Sequence, residues 1–320
     1  MDVTSLFAAS HHDRTMLSFQ TDRNLMKVFP NMSASFLSLL SRLSSWVSNT
    51  ATHSAGSANE DKVNAGVFAQ FEMRQPSHQN AIDAIPGWSS SFPVPGLQAG
   101  NVPLFQDGRI LSALNAYGSL EGAEVLEVGP LEAMHTFILN KQRPANIDAI
   151  EANQLCFLRC LVTKEILKLD KASFYLGDIQ KWLQSTQKTY DFALASGVLY
   201  HMPDPGEFLH LLSKRANALF IWTHFFDESA MPSSDVRRRP FSGKIELRSV
   251  AGMELHYHER SYQNADQNAS FCGGMKDRHF WLERSEIISL LERLGYSKIE
   301  IQAIDNNHPG GPCFSVFARR

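Results

Sequence analysis

Cysteine is scarce in this chain of 320 residues, which contains only Cys156, Cys160, Cys272 and Cys313. These residues form neither a paired disulfide framework nor the Cys-x-x-Cys spacing of a metal site. A disulfide-stapled scaffold is therefore excluded as the basis of the fold. Cys156 and Cys160 are one helical turn apart and are expected to be core thiols. Reduced thiols fit a cytoplasmic location.

An excess of basic residues is also missing. The 30 lysines and arginines are outnumbered by 33 acidic residues, which gives a net charge of −3 at pH 7. Because a protein that covers many phosphates needs a basic face, the composition argues against a large nucleic-acid surface. The 43% of hydrophobic and 20% of charged residues are typical of a globular protein and argue against wholesale disorder.

Long hydrophobic runs are absent as well. Residues 1–30 mix charged with apolar side chains, which is not the pattern of a secretory signal. Residues 36–47 have apolar side chains at helical spacing, but this stretch is too short and, with Arg42, too charged to span a bilayer. We expect no transmembrane segment, and we expect residues 1–47 to form a helical appendage that packs on the main domain or on a partner.

Small polar residues and prolines mark the next divisions of the chain. Residues 48–66 are rich in Ser, Ala, Thr, Asn and Gly and are predicted to be a flexible linker. Residues 67–119 contain several prolines and are predicted to form an irregular arm and a lead-in helix. Residues 120–320 are expected to form the main domain, with a lid inserted at about 225–280.

The stretch Val125–Thr136 is the one around which the main domain is organised. Val125, Leu126 and Val128 form an apolar run typical of a central parallel strand, which is covered on both faces. Gly129 then allows a sharp turn and a close approach of backbone to a ligand, and Pro130 fixes φ where a helix can begin. Such a strand, turn and helix place a binding crevice at the carboxyl end of the strand.

Three further apolar runs end in polar residues. The runs lie at 147–150, 173–177 and 190–195, and they are followed by Glu151, Asp178 and Ser196. Helical patterns separate the runs, which predicts repeated βα units and a parallel sheet. A carboxylate at the position of Glu151, at the tip of the neighbouring strand, is placed to accept hydrogen bonds from both hydroxyls of a ribose.

Together these motifs resemble those of class I S-adenosylmethionine-dependent methyltransferases over roughly residues 105–320. The similar stretches are Glu127–Glu132 (Glu-Val-Gly-Pro-Leu-Glu) followed by His135–Thr136, then Ile150–Asn153, Leu176–Asp178 and Gly197–His201. Within that superfamily the chain is similar to the bacterial branch whose first motif reads Glu-(Leu/Val)-Gly-Pro-Leu-Glu. The usual first motif has two or three glycines, whereas this chain keeps only Gly129, and Leu131 leaves less room beside the cofactor.

The resemblance implies the fold class and the cofactor. The fold would be α/β, with a Rossmann-like sheet of seven mostly parallel strands, a C-terminal antiparallel hairpin, an N-terminal helical arm and a lid inserted after the fifth strand. The cofactor would be S-adenosyl-L-methionine. The cofactor-binding residues would be Glu127, Gly129, Pro130, Leu131, Glu151, Ala152, Asp178, Ile179, Ser196 and Gly197. In the family pattern Asp178 would bind the adenine amino group and Ile179 would lie on the ring, although an aspartate at a helix start can equally be an N-cap.

His201 is the best-placed general base by sequence, because a neutral imidazole can take a proton near neutral pH. It can equally hydrogen-bond to backbone and shape the pocket. Arg109, Tyr200, His224 and His258 are the candidates for substrate binding; Arg109 would grip a carboxylate or phosphate, unless it is solvated or salt-bridged. His256, His258 and Glu259 superficially resemble metal ligands, but no third ligand follows at a convincing spacing, so no metal is predicted.

The sequence therefore predicts a methyltransferase that acts on an O or N atom of a small molecule. Its last segment supports this prediction over an NAD-dependent oxidoreductase, because a helix at 282–295 and two strands at 299–304 and 313–317 close the chain where a dehydrogenase would continue with βα units. A catalytically degenerate fold that serves as a binding or scaffold protein is a second alternative. A tRNA-modifying enzyme is a third, because Gly-Val-Leu-Tyr-His also occurs in wobble-uridine modification enzymes.

Overall fold

A computed structural model describes residues 71–263, 265 and 271–320. The predicted helical appendage at 1–47 and the predicted linker at 48–66 lie outside the described residues. Within those ranges, no helix is both long enough and apolar enough to cross a membrane.

The segment before the main sheet contains short regular elements. Helix α1 (His78–Asp83) begins at Ser77, whose side chain accepts a hydrogen bond from the backbone N–H of Asn80. A single 3₁₀ turn, Leu104–Gln106, precedes helix α2 (Gly108–Tyr117). The N-cap of α2 is Asp107, whose side chain accepts a hydrogen bond from the backbone N–H of Arg109. We call residues 71–106 the arm.

One seven-stranded sheet forms the centre of the molecule. Its strands are β1 (Glu124–Val128), β2 (Asn146–Glu151), β3 (Ala172–Leu176), β4 (Tyr190–Ser196), β5 (Ala216–His224), β9 (Lys298–Asp305) and β10 (Cys313–Arg319). They lie in the order β3-β2-β1-β4-β5-β10-β9. The first five are parallel, and β10 runs antiparallel to both β5 and β9. The predicted mostly parallel sheet with a C-terminal antiparallel hairpin is confirmed.

Helices cover both faces of this sheet, as expected when parallel strands are joined by crossovers. They are α3 (Met134–Asn140), α4 (Gln154–Leu167), α5 (Ile179–Ser185), α6 (Pro205–Ser213) and α7 (Arg284–Arg293). One core cluster joins α2, α3 and α4 to the sheet, and the other joins α5, α6 and α7 to the opposite face. Four of the five residues of β1 are buried. Because β1 lies inside the sheet and not at its edge, its carboxyl end opens between the two helical layers.

The connection from β5 to α7 folds as a second, three-stranded sheet. Its antiparallel strands are β6 (Phe241–Val250), β7 (Met253–Arg260) and β8 (His279–Trp281). Buried Tyr257 attaches this sheet to the start of α6, because its hydroxyl accepts from the N–H of Gly206 at 3.1 Å and donates to Asp204 at 2.7 Å. We call residues 225–283 the insertion.

Candidate functional site

A cavity of about 700 Å³ lies at the carboxyl ends of β1, β2 and β4, a size typical of small-molecule and cofactor sites. Eight of the predicted cofactor residues line it: Gly129, Pro130, Leu131, Glu151, Ala152, Ile179, Ser196 and Gly197. Three predicted acceptor-side residues, Arg109, Tyr200 and His201, line it as well. Residues of the arm and residues 271–275 of the insertion complete its wall. The sequence predictions thus meet in one place.

The loop after β1 keeps a glycine-type backbone with little glycine. Gly129, Leu131 and Ala133 all have positive φ, at 64°, 58° and 63°. Two of the three therefore hold side chains in the left-handed region, which costs about 1–2 kcal/mol per residue. A Cβ added at Gly129 would lie 3.0 Å from Cγ2 of Val198, so a side chain there would require Val198 to shift. Three positive-φ residues thus shape the loop although only one of them is glycine.

Glu151 joins this loop to the end of β2. Its carboxylate accepts hydrogen bonds from the N–H of Leu131 at 3.1 Å and from the N–H of Asn153 at 2.8 Å. Burial raises the pKa of Glu151, and the backbone N–H groups around it offset part of that rise. A carboxylate has about four lone-pair positions, so acceptor capacity is left for hydroxyl groups of a ligand in the cavity.

Glu127 and Asp178 lie outside the cavity lining. Glu127 is buried beneath the loop, where the Thr136 hydroxyl donates to it at 2.6 Å. Burial raises the pKa of Glu127 to about 8 against the lowering effect of that hydrogen bond, so the side chain is mostly neutral at pH 7. Asp178 is the N-cap of α5, with its carboxylate 2.8 Å from the N–H of Gln180. The structure thus shows the capping contact that the sequence left as an alternative for Asp178.

The acceptor side of the cavity contains an ionic group that the sequence did not reveal. Arg109 makes a two-point ion pair with Asp107 and stacks over the indole ring of Trp222 at 4.4 Å. His135 lines the cavity and its Nε2 lies 3.0 Å from the same Asp107 carboxylate. Burial acts to raise the pKa of Asp107, but the bonds to His135 and Arg109 outweigh it and hold that pKa well below the usual range.

His201 lies on a 3₁₀ turn (Leu199–His201) after β4 and faces the insertion. Its Nδ1 forms a short hydrogen bond with the Tyr262 hydroxyl, which also accepts from the N–H of Gly274 at 2.8 Å. The contact thus connects the predicted base to the residues that close the cavity from the insertion side.

The arm is fixed to the main domain by a buried pair that sequence reasoning also missed. Glu132 accepts hydrogen bonds from the N–H groups of Ser89 and Ser90 at 2.8 and 2.7 Å. Arg159 donates to the carbonyl of Pro86 and lies 3.5 Å from Glu132. The arm residues are 42 or more residues away in the sequence from Glu132 and Arg159, so local patterns gave no signal for this clamp.

His224 and His258 are both buried outside the cavity lining. His224 stacks on Trp281 with 5.0 Å between ring centroids, and the Gly311 carbonyl accepts from its Nδ1 at 2.9 Å. His258 stacks on Phe226 at 3.5 Å, and burial lowers its pKa. For these two residues the structure therefore shows packing roles, and their proposed contact with substrate would have to be indirect.

His224, His308 and Cys313 form the group of described residues whose spacing approaches that of metal ligands, with ligand atoms within 4.8 Å of one another. Nδ1 of His308 accepts a hydrogen bond from the N–H of Gly310 at 3.0 Å. Burial raises the pKa of the Cys313 thiol to about 11, so a metal would have to displace that proton to bind the sulfur. No metal site is proposed here.

Comparison with known proteins gives a match in structure alone. No family model matches the sequence, and no curated protein matches it. The N-terminal domain of EvdMO1, solved with SAH (S-adenosylhomocysteine) bound, is similar with a TM-score of 0.57 and 20% identity, over 77% of this chain and 99% of that one. The same domain in the presence of SAH and D-fucose gives 0.56 and 21% over the same shares. The longer EvdMO1 chain gives 0.52 and 19%, over 75% of this chain and 46% of its own.

The chain has the class I methyltransferase fold. In open α/β sheets of this kind, ligands bind outside the carboxyl ends of the parallel strands, at the point where the strand order reverses. In the methyltransferase fold seen here that point lies between β1 and β4, where the cavity is found.

Proposed function

We propose that this protein is an S-adenosylmethionine-dependent methyltransferase that acts on an O or N atom of a small molecule. The observation that carries the proposal is the convergence of the loop after β1, Glu151 and Ser196 on one cavity. These groups follow the ends of three different strands, and core packing alone gives no reason for them to share one opening.

The chain's own residues fit such a cofactor. Glu151 is buried and its oxygens are only partly used by backbone donors, so it can accept from the ribose hydroxyls. Ile179 offers an apolar side chain to the adenine ring, and the free acceptor capacity of the capping Asp178 lies beside it. Glu127 would act indirectly, because through Thr136 it holds the start of α3 beneath the loop. When bound, the cofactor supplies an electrophilic methyl group, and the electron pair of the broken bond stays on sulfur.

The acceptor side supports a small, partly aromatic or hydroxylated substrate. Tyr200 and Trp222 form its apolar wall, and Arg109 is stacked on that wall. The ion pair with Asp107 compensates the charge of Arg109, so we propose that Arg109 orients the substrate and does not bind it as an isolated cation. The arm and the insertion exclude water from the reacting atoms, which strengthens electrostatic interactions inside the cavity.

Ligand-dependent unfolding distinguishes this function from the oxidoreductase alternative. Full-length protein is heated with S-adenosylmethionine, SAH or NAD, each in large excess. A ligand at 100 times its dissociation constant stabilises the folded state by about 2.7 kcal/mol. We expect both methionine-derived ligands to raise Tm and NAD to leave it unchanged. Stabilisation by NAD alone would contradict the proposal. If S-adenosylmethionine binds, methyl transfer is measured by mass spectrometry on a panel of hydroxyl and amine acceptors.

A further inference from the structure

Two histidines, His135 and His201, line the cavity, and they differ in the group that each ring is hydrogen-bonded to: a carboxylate for His135 and a hydroxyl for His201. Which nitrogen of a neutral histidine has the lone pair decides whether it can remove a proton from a substrate. The bonds of each ring therefore indicate which of the two is equipped as a base.

His135 is held in one tautomer by Asp107. The Asp107 carboxylate is ionised at neutral pH because its pKa is lowered, and an ionised carboxylate only accepts hydrogen bonds. The 3.0 Å contact between them therefore places the imidazole proton on Nε2. A neutral His135 then has its lone pair on Nδ1. This is the arrangement in which a carboxylate orients an imidazole and stabilises the imidazolium that forms after proton uptake.

His201 is bound differently. Its Nδ1 forms a short hydrogen bond with the Tyr262 hydroxyl, which also accepts from the N–H of Gly274. A hydroxyl both donates and accepts hydrogen bonds, so this contact does not assign the His201 proton to one nitrogen. Unlike the Asp107 carboxylate, the Tyr262 hydroxyl has no negative charge with which to stabilise an imidazolium.

The position of the Asp107 group also suits the reaction. Trp222 is the register partner of Ser196 across β4 and β5, and its carbonyl accepts from the N–H of Gly197 at 2.9 Å. Arg109 stacks on this same indole ring and is paired with Asp107. His135 is therefore tied, through Asp107 and Arg109, to the end of β4 that lines the cavity.

We propose that His135, oriented by Asp107, is the proton acceptor for a hydroxyl substrate. This inference rests on the proposed function and names the acceptor class. The hydroxyl O–H bond breaks, its proton moves to Nδ1 of His135, and its electron pair stays on the oxygen that bonds to the methyl carbon. A hydroxyl needs such a base because its pKa lies far above neutrality, whereas a carboxylate acceptor is already ionised.

The tautomer of His135 can be measured without any turnover. Full-length protein with ¹⁵N-labelled histidine is studied by NMR at neutral pH with SAH present, and His135→Gln identifies the signals of His135. We expect the proton on Nε2 and none on Nδ1. Asp107→Asn keeps a good helix N-cap but removes the acceptor-only partner, so part of the proton should move to Nδ1. A proton on Nδ1 of His135 in the unmodified protein would overturn the proposal.

Kinetics with hydroxyl acceptors then test the role itself. With a phenol or sugar that the protein methylates, His135→Gln should lower kcat by about 10²- to 10⁴-fold and leave SAH affinity within about twofold. His201→Gln should lower kcat by a much smaller factor, because the proposed base is intact in that variant. Loss of kcat in His201→Gln with His135→Gln unaffected would overturn the proposal. If SAH itself does not bind, the proposed function fails, and the NMR result still shows whether Asp107 sets the His135 tautomer.

Discussion

At the residue scale, the loop after β1 places Leu131 and Ala133 in the left-handed backbone region beside Gly129. The sequence showed that glycines were missing there, but it could not show that the backbone keeps the glycine conformation. Backbone strain at such a position is tolerated when the surroundings fix it, here through the bond from the N–H of Leu131 to Glu151.

This strain predicts that a glycine variant at Leu131 is more stable than a valine variant, which is the reverse of the order expected within a helix. Glycine should be tolerated there, whereas β-branched valine should lower the free energy of unfolding by about 1–2 kcal/mol relative to glycine. The matched control is Leu161, which is exposed within α4. At Leu161 valine should be the milder change, because glycine is the poorer helix former. Urea denaturation of the four variants measures both orders, and the same order at the two sites would contradict the account.

Glu127 gives a prediction on pH. Its pKa is raised from 4.5 to about 8 in the folded protein, so the unfolded chain loses this proton first. The stability that neutral Glu127 provides is complete below pH 4.5 and is lost as the pH rises to about 8, at up to about 1.4 kcal/mol per pH unit. Glu127→Gln should therefore gain stability over the unmodified protein progressively from pH 5 to pH 8.

Denaturation at several pH values measures this difference. Glu121→Gln, at an exposed position before β1, is the control and should show a difference that does not change with pH. If the difference in unfolding free energy between Glu127→Gln and the unmodified protein is also independent of pH, the buried carboxyl is not held neutral.

At the scale of elements, the clamp between the arm and the main domain brings Gly87 and Ser89 to the cavity wall. Gly87 has φ of 83°, and a Cβ there would lie 2.6 Å from Nη2 of Arg159. Gly96, in the same arm, has φ of 85° and nothing within 4 Å of such a Cβ. The two positions share the backbone conformation and differ in the contact with Arg159.

Gly87→Ala should therefore displace the arm, while Gly96→Ala should cost only the backbone strain. We expect Gly87→Ala to weaken SAH binding about tenfold, which is 1.4 kcal/mol. Gly96→Ala should bind SAH with the affinity of the unmodified protein. Fluorescence titration of both variants measures the difference. Equal affinities would show that the arm does not contribute to the site.

Elements with strong local patterns were predictable from the sequence. Helical patterns were expected between the apolar runs, and α4 (Gln154–Leu167) lies in one of these intervals, where the Asn153 side chain caps its start. The clamp and the Asp107–His135 pair were not predictable, since their partners come from elements that only the fold brings together. The sheet of the insertion was missed because its strands alternate polar and aromatic residues, a pattern that suits a loop over a pocket equally well.

At the scale of the whole molecule, the cavity is enclosed by segments from three parts of the described chain: the arm, the strand ends and the insertion. The insertion is joined to the strand ends by a hydrogen bond from Nδ2 of Asn153 to the Phe271 carbonyl at 3.1 Å. A ligand in the cavity would therefore touch segments that are distant in sequence.

Hydrogen–deuterium exchange tests this arrangement. SAH should slow exchange together in residues 86–90, 129–133 and 271–275, because the ligand fills the space that these segments enclose. Strand β9, at the far edge of the sheet, is the internal control and should be unaffected. Protection confined to residues 129–133 would contradict the enclosed site.

The most direct test of the central claim is calorimetric titration of the full-length protein with SAH, alongside Glu151→Ala and the control Glu165→Ala. Glu165 is an exposed carboxylate on α4. The account predicts binding on the order of micromolar for the unmodified protein and for Glu165→Ala, and a loss of at least about tenfold for Glu151→Ala. Absence of binding by a folded protein, or unchanged affinity in Glu151→Ala, would contradict it.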